Sequence, residues 1–299
     1  MIKTIFFGNY FYGICAVMLS IEAALQQLIP LNSIVYYIFV FSGAVVYYTK
    51  AYISQTTVAD VHNRRSVWYI QYHSSIKISQ IAFTIIFGIT GLLLLRDIFP
   101  HILRMNITEW LIIALFPIVA ALYYGLGLPN NSRFTLRNMG WIKPFVIGFV
   151  WGGLVTIYPI MFHDILKDIP YEVTFFGTLL FIKNFMYITV LCIMFDIKDY
   201  AADHNRQLKT FVVRFGLRRT IFYILIPLAS IGMATFLIFA TSRHFPLLRI
   251  LINTVPFILL IIVAYSMHRR KSILYYLAVI DGLMLVKACC GIIGITLIK

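Results

Sequence analysis

Apolar stretches of about twenty residues succeed one another along this chain, roughly at 4–25, 34–54, 76–95, 109–127, 142–162, 172–195, 219–240, 247–267 and 273–297. A helix rising about 1.5 Å per residue needs about 20 such residues to cross a hydrocarbon core of about 30 Å. A chain built this way can satisfy its backbone and cover its apolar surface together only as helices in lipid. Only 12% of the residues are charged, against about 25% in a soluble domain. The expectation is an all-α membrane protein of about nine transmembrane helices. No Pro/Gly/Ser-rich linker or soluble-type segment interrupts the series, so residues 1–299 read as a single transmembrane domain.

The four cysteines, Cys15, Cys192, Cys289 and Cys290, all lie inside apolar runs. They lack C-x-x-C spacing and a neighbouring histidine cluster, which argues against a zinc site and a disulfide framework. Lys3 followed by an apolar run has the look of a signal peptide. Glu22, Gln26 and Gln27 then follow without a small-residue cleavage site, so this run is expected to stay as the first helix.

Nine crossings sort the connectors onto two sides. Lys3, Lys50, Arg64, Arg65, Lys77, Arg133, Arg137, Lys143, Lys198, Arg206, Lys209, Arg214, Arg218, Arg219, Arg269, Arg270 and Lys271 fall on one side, 17 of the 25 basic residues. Six fall on the other, and Lys183 and Lys287 lie within spans. The positive-inside rule makes the first side, with the N-terminus, cytoplasmic. This asymmetry accounts for most of the formal charge of +14 without nucleic acid as a partner. Such a face would draw anionic lipid head groups and an anionic substrate.

Acidic residues are scarce, 11 in all, yet three occur together in Asp196-Ile-Lys-Asp199-Tyr-Ala-Ala-Asp203. Offsets of 0, 3 and 7 project to one face of a helix, so the carboxylates converge. A hard divalent cation such as Mg²⁺, shared with substrate phosphates, would relieve their repulsion. Arg206, Lys209 and Arg214 follow directly, which suits a metal-bridged diphosphate. The plain alternative is a solvated helix end on which acids and bases neutralise one another. The cluster lies where a long apolar run leaves the membrane, and ionisable groups at such depths are functional candidates.

The stretch from Asp196 to Gly216, with Asp199 and Asp203 as a D-x-x-x-D pair, Asp196 as an additional upstream acid, and then Thr210 and Gly216, resembles the second aspartate motif of the UbiA family of intramembrane prenyltransferases. Leu136-Arg137, Trp141-Ile-Lys143-Pro and Val150-Trp151-Gly152 up to Pro159 resemble that family's fifth helix, and Asp281-Gly282 the start of its last. The resemblance implies a UbiA-like bundle of nine helices with a cytoplasmic active face. It also implies transfer of an isoprenyl group from a prenyl diphosphate to an aromatic or other lipid-soluble acceptor. Asp199 and Asp203 would be catalytic, and Asp196, Asp199 and Asp203 would hold Mg²⁺. Arg64, Arg65, Lys143, Arg206 and Lys209 are the candidate diphosphate partners.

The chain departs from the family at the first aspartate motif, N-D-x-x-D-x-x-x-D after the second helix. Residues 47–60 hold Asp60 as their single acid. Asp60, His62 and Asn63 are candidate substitute ligands. Alternatively Lys50, Arg64 and Arg65 neutralise the diphosphate directly, or the chemistry is lost. Gln207 and Val212 replace a frequent Gly and Pro of the second motif. Two further classes stay open: a catalytically altered or inactive relative that binds isoprenoid or quinone lipids, and a small-solute transporter using Lys183, Asp281 and Lys287. No internal repeat of the kind transporters carry is evident. A charge within a span costs at least ~2.5 kcal/mol, so Lys183 and Lys287 should face the bundle interior or snorkel to an interface, with Asp281 as a candidate partner for Lys183. Aromatics form 16% of the chain, enough for belts at the membrane interfaces and for a tunnel wall facing an allylic cation.

Overall fold

A computed structural model describes residues 2–53, 64–124, 140–205, 209–269 and 271–297, and their regular structure is helical throughout. The helices are α1 (Ile2–Phe7), α2 (Tyr10–Gln26), α3 (Ile34–Ile53), α4 (Arg64–Gln71), α5 (His73–Ile98), α6 (Ile107–Tyr124), α7 (Lys143–Gly152) and α8 (Tyr158–Leu166). They continue as α9 (Phe175–Asn205), α10 (Phe211–Phe215), α11 (Leu217–Thr220), α12 (Ile226–Ser242), α13 (Leu247–Ser266), α14 (Ile273–Tyr275) and α15 (Gly282–Thr296).

Among the described residues, six helical stretches are long and apolar enough to cross a membrane: His73–Arg104, Lys143–Leu166, Phe175–Tyr200, Leu217–Ser242, Leu247–Ser266 and Ile273–Thr296. Tyr10–Gln26, Ile34–Lys50 and Ile107–Tyr123 are shorter apolar helices on three more of the expected runs.

Three of the long stretches contain a π-helical turn, and two of these turns have a cause in the sequence. Proline lacks an amide hydrogen and its ring crowds the carbonyl four residues earlier. Ahead of Pro159 that carbonyl belongs to Val155, and the helix widens over Gly153–Ile157. Ahead of Pro227 it belongs to Tyr223, and the helix widens over Ile221–Leu225. The third turn, Tyr276–Ile280, holds no proline. It delivers the chain to Asp281, whose amide donates five residues back to the Tyr276 carbonyl at 3.2 Å. Single π turns of this kind recur at functional positions.

Around α9 the helices form a closed ring. α9 packs on α7 and α12, α12 on α13, α13 on α15 and α15 on α2, and the π turn Gly153–Ile157 touches both α2 and α9. α3 covers α2 and α5 covers α3, while α6 lies against α7. Val190, Ile193, Met194, Leu225, Ala240, Leu260, Ala264, Ile280 and Ala288 are fully enclosed in the ring's core. Lipid tails are as apolar as these side chains, so close packing and polar contacts hold the helices together.

Gly148 shows how close the packing is. A Cβ there would come within 2.2 Å of Thr189 Oγ1 and 3.0 Å of the Phe185 carbonyl. Gly148→Ala should therefore push α7 off α9 and cost about 1–3 kcal/mol, read as a lower melting temperature in detergent. An unchanged melting temperature would mean the two helices do not touch there.

Connectors are fixed by local capping. Asn106 and Glu109 bond each other's amides reciprocally at 2.9 Å ahead of α6, an Asn version of the capping box. Glu109 also accepts the Tyr171 amide at 2.9 Å, tying the loop before α9 to α6. Thr210 caps α10 through the Val213 amide at 3.4 Å. Gly216 ends α10 with φ +78°, a conformation that a side chain would strain.

Candidate active site

The start of α2, the end of α3, α4, the start of α7, the end of α9 and the Asp281 junction all meet at one end of the bundle. Asn9 Nδ2 donates to Thr49 Oγ1 at 3.1 Å and to Tyr69 OH at 3.2 Å, joining α2, α3 and α4. Tyr12 stacks on Tyr48 with ring centroids 4.6 Å apart, and Trp151 Nε1 donates to the Tyr48 hydroxyl. The Tyr12 hydroxyl also bonds the Asp281 carboxylate, which is 2% exposed. Gly140, just ahead of α7, packs against the backbone of Lys209 and Thr210.

α9 carries the acidic face into this end. Asp196 is fully buried, and Lys143 Nζ donates to its Oδ1 at 2.9 Å. Lys143 itself keeps 32% of its side-chain surface accessible. Asp199, one turn on, pairs with Lys198 at 3.0 Å. Tyr12, Lys143 and Cys192 are surrounded by neighbouring helices yet keep partial access. They are therefore only partly enclosed at this end of the bundle.

The other expected site residues divide three ways. Arg64, at the start of α4, Lys50, in the last turn of α3, and Lys209, before Thr210, are exposed at this same end. Asp60, His62, Asn63 and Arg206 lie outside the described residues, as does the side chain of Asp203, whose backbone continues α9. Arg65 is committed to the protein itself. It is 3% exposed, and its Nη2 donates to the Phe7 carbonyl at 3.0 Å and to Asn9 Oδ1 at 2.6 Å. Its guanidinium also lies 3.8 Å from the Tyr52 ring centroid.

Asp281 is not the partner of Lys183. Lys183 lies 13 residues before Asp196 on α9, about 20 Å along the helix, and it bonds Glu22 Oε1 at 3.2 Å and Gln26 Oε1 at 2.8 Å. Lys287 reaches Glu22 Oε2 at 2.6 Å. Glu22, Lys183 and Lys287 are all buried, so one carboxylate holds two ammonium groups between α2, α9 and α15. The sequence offered one signal for this role: Glu22 is an acid in the middle of an apolar run.

Whether magnesium fits can be judged from the donors. Among the described residues no three His, Cys, Asp or Glu side chains are grouped to hold a metal ion. Asp196 and Asp199 each already face an ammonium group. The described donors do not make a magnesium cage. An open hollow of about 710 Å³ on α1, α2, α4 and α5, lined by Lys3, Tyr10, Trp68 and Tyr72 among others, carries no carboxylate.

No family model and no curated protein matches the chain. Among solved structures, its fold matches a digeranylgeranylglyceryl phosphate synthase studied in membranes, with a TM-score of 0.54 and 14% identity over 99% of each chain. The chain is an integral membrane protein. Its helices are arranged as in that synthase.

Proposed function

We propose that this single-domain protein is a UbiA-type prenyltransferase, moving an isoprenyl group from a prenyl diphosphate to a lipid-soluble acceptor at the cytoplasmic end of the bundle. One observation carries the reading. In a fold shared with a prenyl-lipid synthase, paired lysines and aspartates from α7 and α9 lie at the same end of the bundle as the stacked Tyr12 and Tyr48 rings. Ionisation of an allylic diphosphate puts positive charge on the first prenyl carbon and negative charge on the leaving group. The Tyr12 and Tyr48 faces can stabilise the first. Lys143, Lys198 and the exposed Lys50, Arg64 and Lys209 surround the second, where fixed cations lower the barrier most. Asp199 holds Lys198 on α9, and Asp281 holds the Tyr12 ring through one buried hydrogen bond.

The test is transfer of label from radioactive geranylgeranyl diphosphate into lipid-extractable product, using detergent-purified protein and a total membrane lipid extract as acceptor source. Asp199→Ala/Asp203→Ala should lower transfer by about 10²-fold or more. Label that is neither bound nor transferred would end the prenyltransferase reading. The second reading, an isoprenoid-binding relative without turnover, draws on the lysines already seated on both described carboxylates. Binding without transfer would mark it.

A further inference from the structure

We propose that the ammonium groups of Lys143 and Lys198, seated on Asp196 and Asp199, are the cations that receive the substrate diphosphate, so that prenyl diphosphate binds this protein without a divalent metal. The inference rests on the prenyl-diphosphate reading and specifies how that substrate is held.

Three observations converge. Lys143 Nζ lies 2.9 Å from Asp196 Oδ1, and Lys198 Nζ lies 3.0 Å from Asp199 Oδ1. Ammonium groups thus stand where two carboxylates of one helix face would otherwise bind a cation. The second observation is access. Asp196 is 0% exposed while the Lys143 side chain keeps 32%, so the carboxylate serves as a buried anchor and the lysine keeps an accessible side. An ammonium has three donors; Asp196 Oδ1 takes one of Lys143's, and the accessible side of the group is left for a ligand. The third is the charge balance of this end. Lys50, Arg64, Lys143, Lys198 and Lys209 outnumber Asp196, Asp199 and Asp281 among the described residues, and Arg65 lies close enough to act electrostatically on Asp281.

α7 also begins at Lys143 and runs for 10 residues, so the positive end of its dipole is beside the same ammonium. The sequence agrees independently: the segment that should supply a second set of metal-binding acids holds Asp60 alone, flanked by Lys50, Arg64 and Arg65. A site meant to share metal with a diphosphate needs surplus carboxylate. Among the described residues this one has surplus lysine and arginine, the composition of a direct anion site.

The experiment is calorimetric titration of the full-length protein in detergent with geranylgeranyl thiolodiphosphate, a diphosphate analogue that does not ionise readily. It is run with excess Mg²⁺ and again with excess EDTA. We expect the two dissociation constants to agree within about twofold. Lys198→Ala should weaken binding roughly tenfold or more, the scale of a lost charged hydrogen bond. Lys143→Ala would strand a buried carboxylate, so the paired variant Lys143→Gln/Asp196→Asn, which removes both charges, is used instead and should weaken binding by a similar factor. Its fold is checked by its elution and melting profile.

Binding that EDTA abolishes and Mg²⁺ restores overturns the proposal and leaves the prenyl-diphosphate reading standing. EDTA-resistant binding that neither lysine variant weakens also overturns it, placing the diphosphate elsewhere. Absence of binding under both conditions removes the prenyl-diphosphate reading and this inference with it.

Discussion

Glu22→Leu should destabilise the folded bundle by about 3–5 kcal/mol, the cost of leaving buried charge without its partner. Both oxygens of Glu22 are in use: Oε1 accepts from Lys183 and Gln26, at 3.2 and 2.7 Å, and Oε2 accepts from Lys287 at 2.6 Å. Removing the carboxylate strands two ammonium groups in the membrane interior, where each is already expensive. The expected result is a sharply lower melting temperature in detergent and loss of the monodisperse elution peak. The triple variant Glu22→Met/Lys183→Met/Lys287→Met removes every charge at once and should recover most of the loss, because apolar groups of similar size can replace a buried ion cluster. A single variant as stable as the starting protein would show that the cluster contributes nothing to the fold. Recovery in the triple would locate the damage in the unpaired charge and not in lost volume.

Arg65→Ala should have the next largest effect, about 3 kcal/mol. The guanidinium closes the N-terminal segment onto α4 by donating to the Phe7 carbonyl and Asn9 Oδ1 while lying over Tyr52. Hydrogen bonds to a charged group contribute about 1.5–3 kcal/mol, and a desolvated cation–π contact about 2 more. Part of this is regained as Asn9 and Phe7 relax. Arg65→Lys should rescue little, since one ammonium cannot reproduce the planar fork and the ring contact together. The measurement is limited proteolysis with N-terminal sequencing of the fragments. Faster cleavage at the α1–α2 junction is expected in Arg65→Ala, and an unchanged cleavage pattern would mean other contacts hold that segment.

Apolar run length made the helical membrane fold legible, because hydrocarbon thickness sets it residue by residue. That Asp196 and Asp199 sit one turn apart on one helix was legible for the same kind of reason, as helix geometry fixes an offset of three. Depth alone left Lys183 and Lys287 as either interior charges or lysines snorkelling to an interface, and packing decides for the interior. Their partner could not be read, because Glu22 is 161 and 265 residues away in sequence and only packing brings the three together. The Lys143–Asp196 pair, separated by 53 residues, was hidden in the same way. Reading Arg64 and Arg65 as a pair of similar cations missed that adjacent residues on a helix point in different directions. Arg64 is exposed and Arg65 buried. Of the three π turns, proline spacing accounts for two, and the one leading to Asp281 left no mark in the sequence.

The cluster at Glu22 also has a consequence for how the protein is made. α2 is synthesised early, and its carboxylate gains its last ammonium only when Lys287 emerges 265 residues later. At about 5–20 residues per second, that interval is on the order of tens of seconds. Until then Glu22 has Lys183 as its one ammonium partner, and the ring cannot close. A chain that stops before α15 would keep this buried site half-paired, with one carboxylate oxygen still waiting for its ammonium.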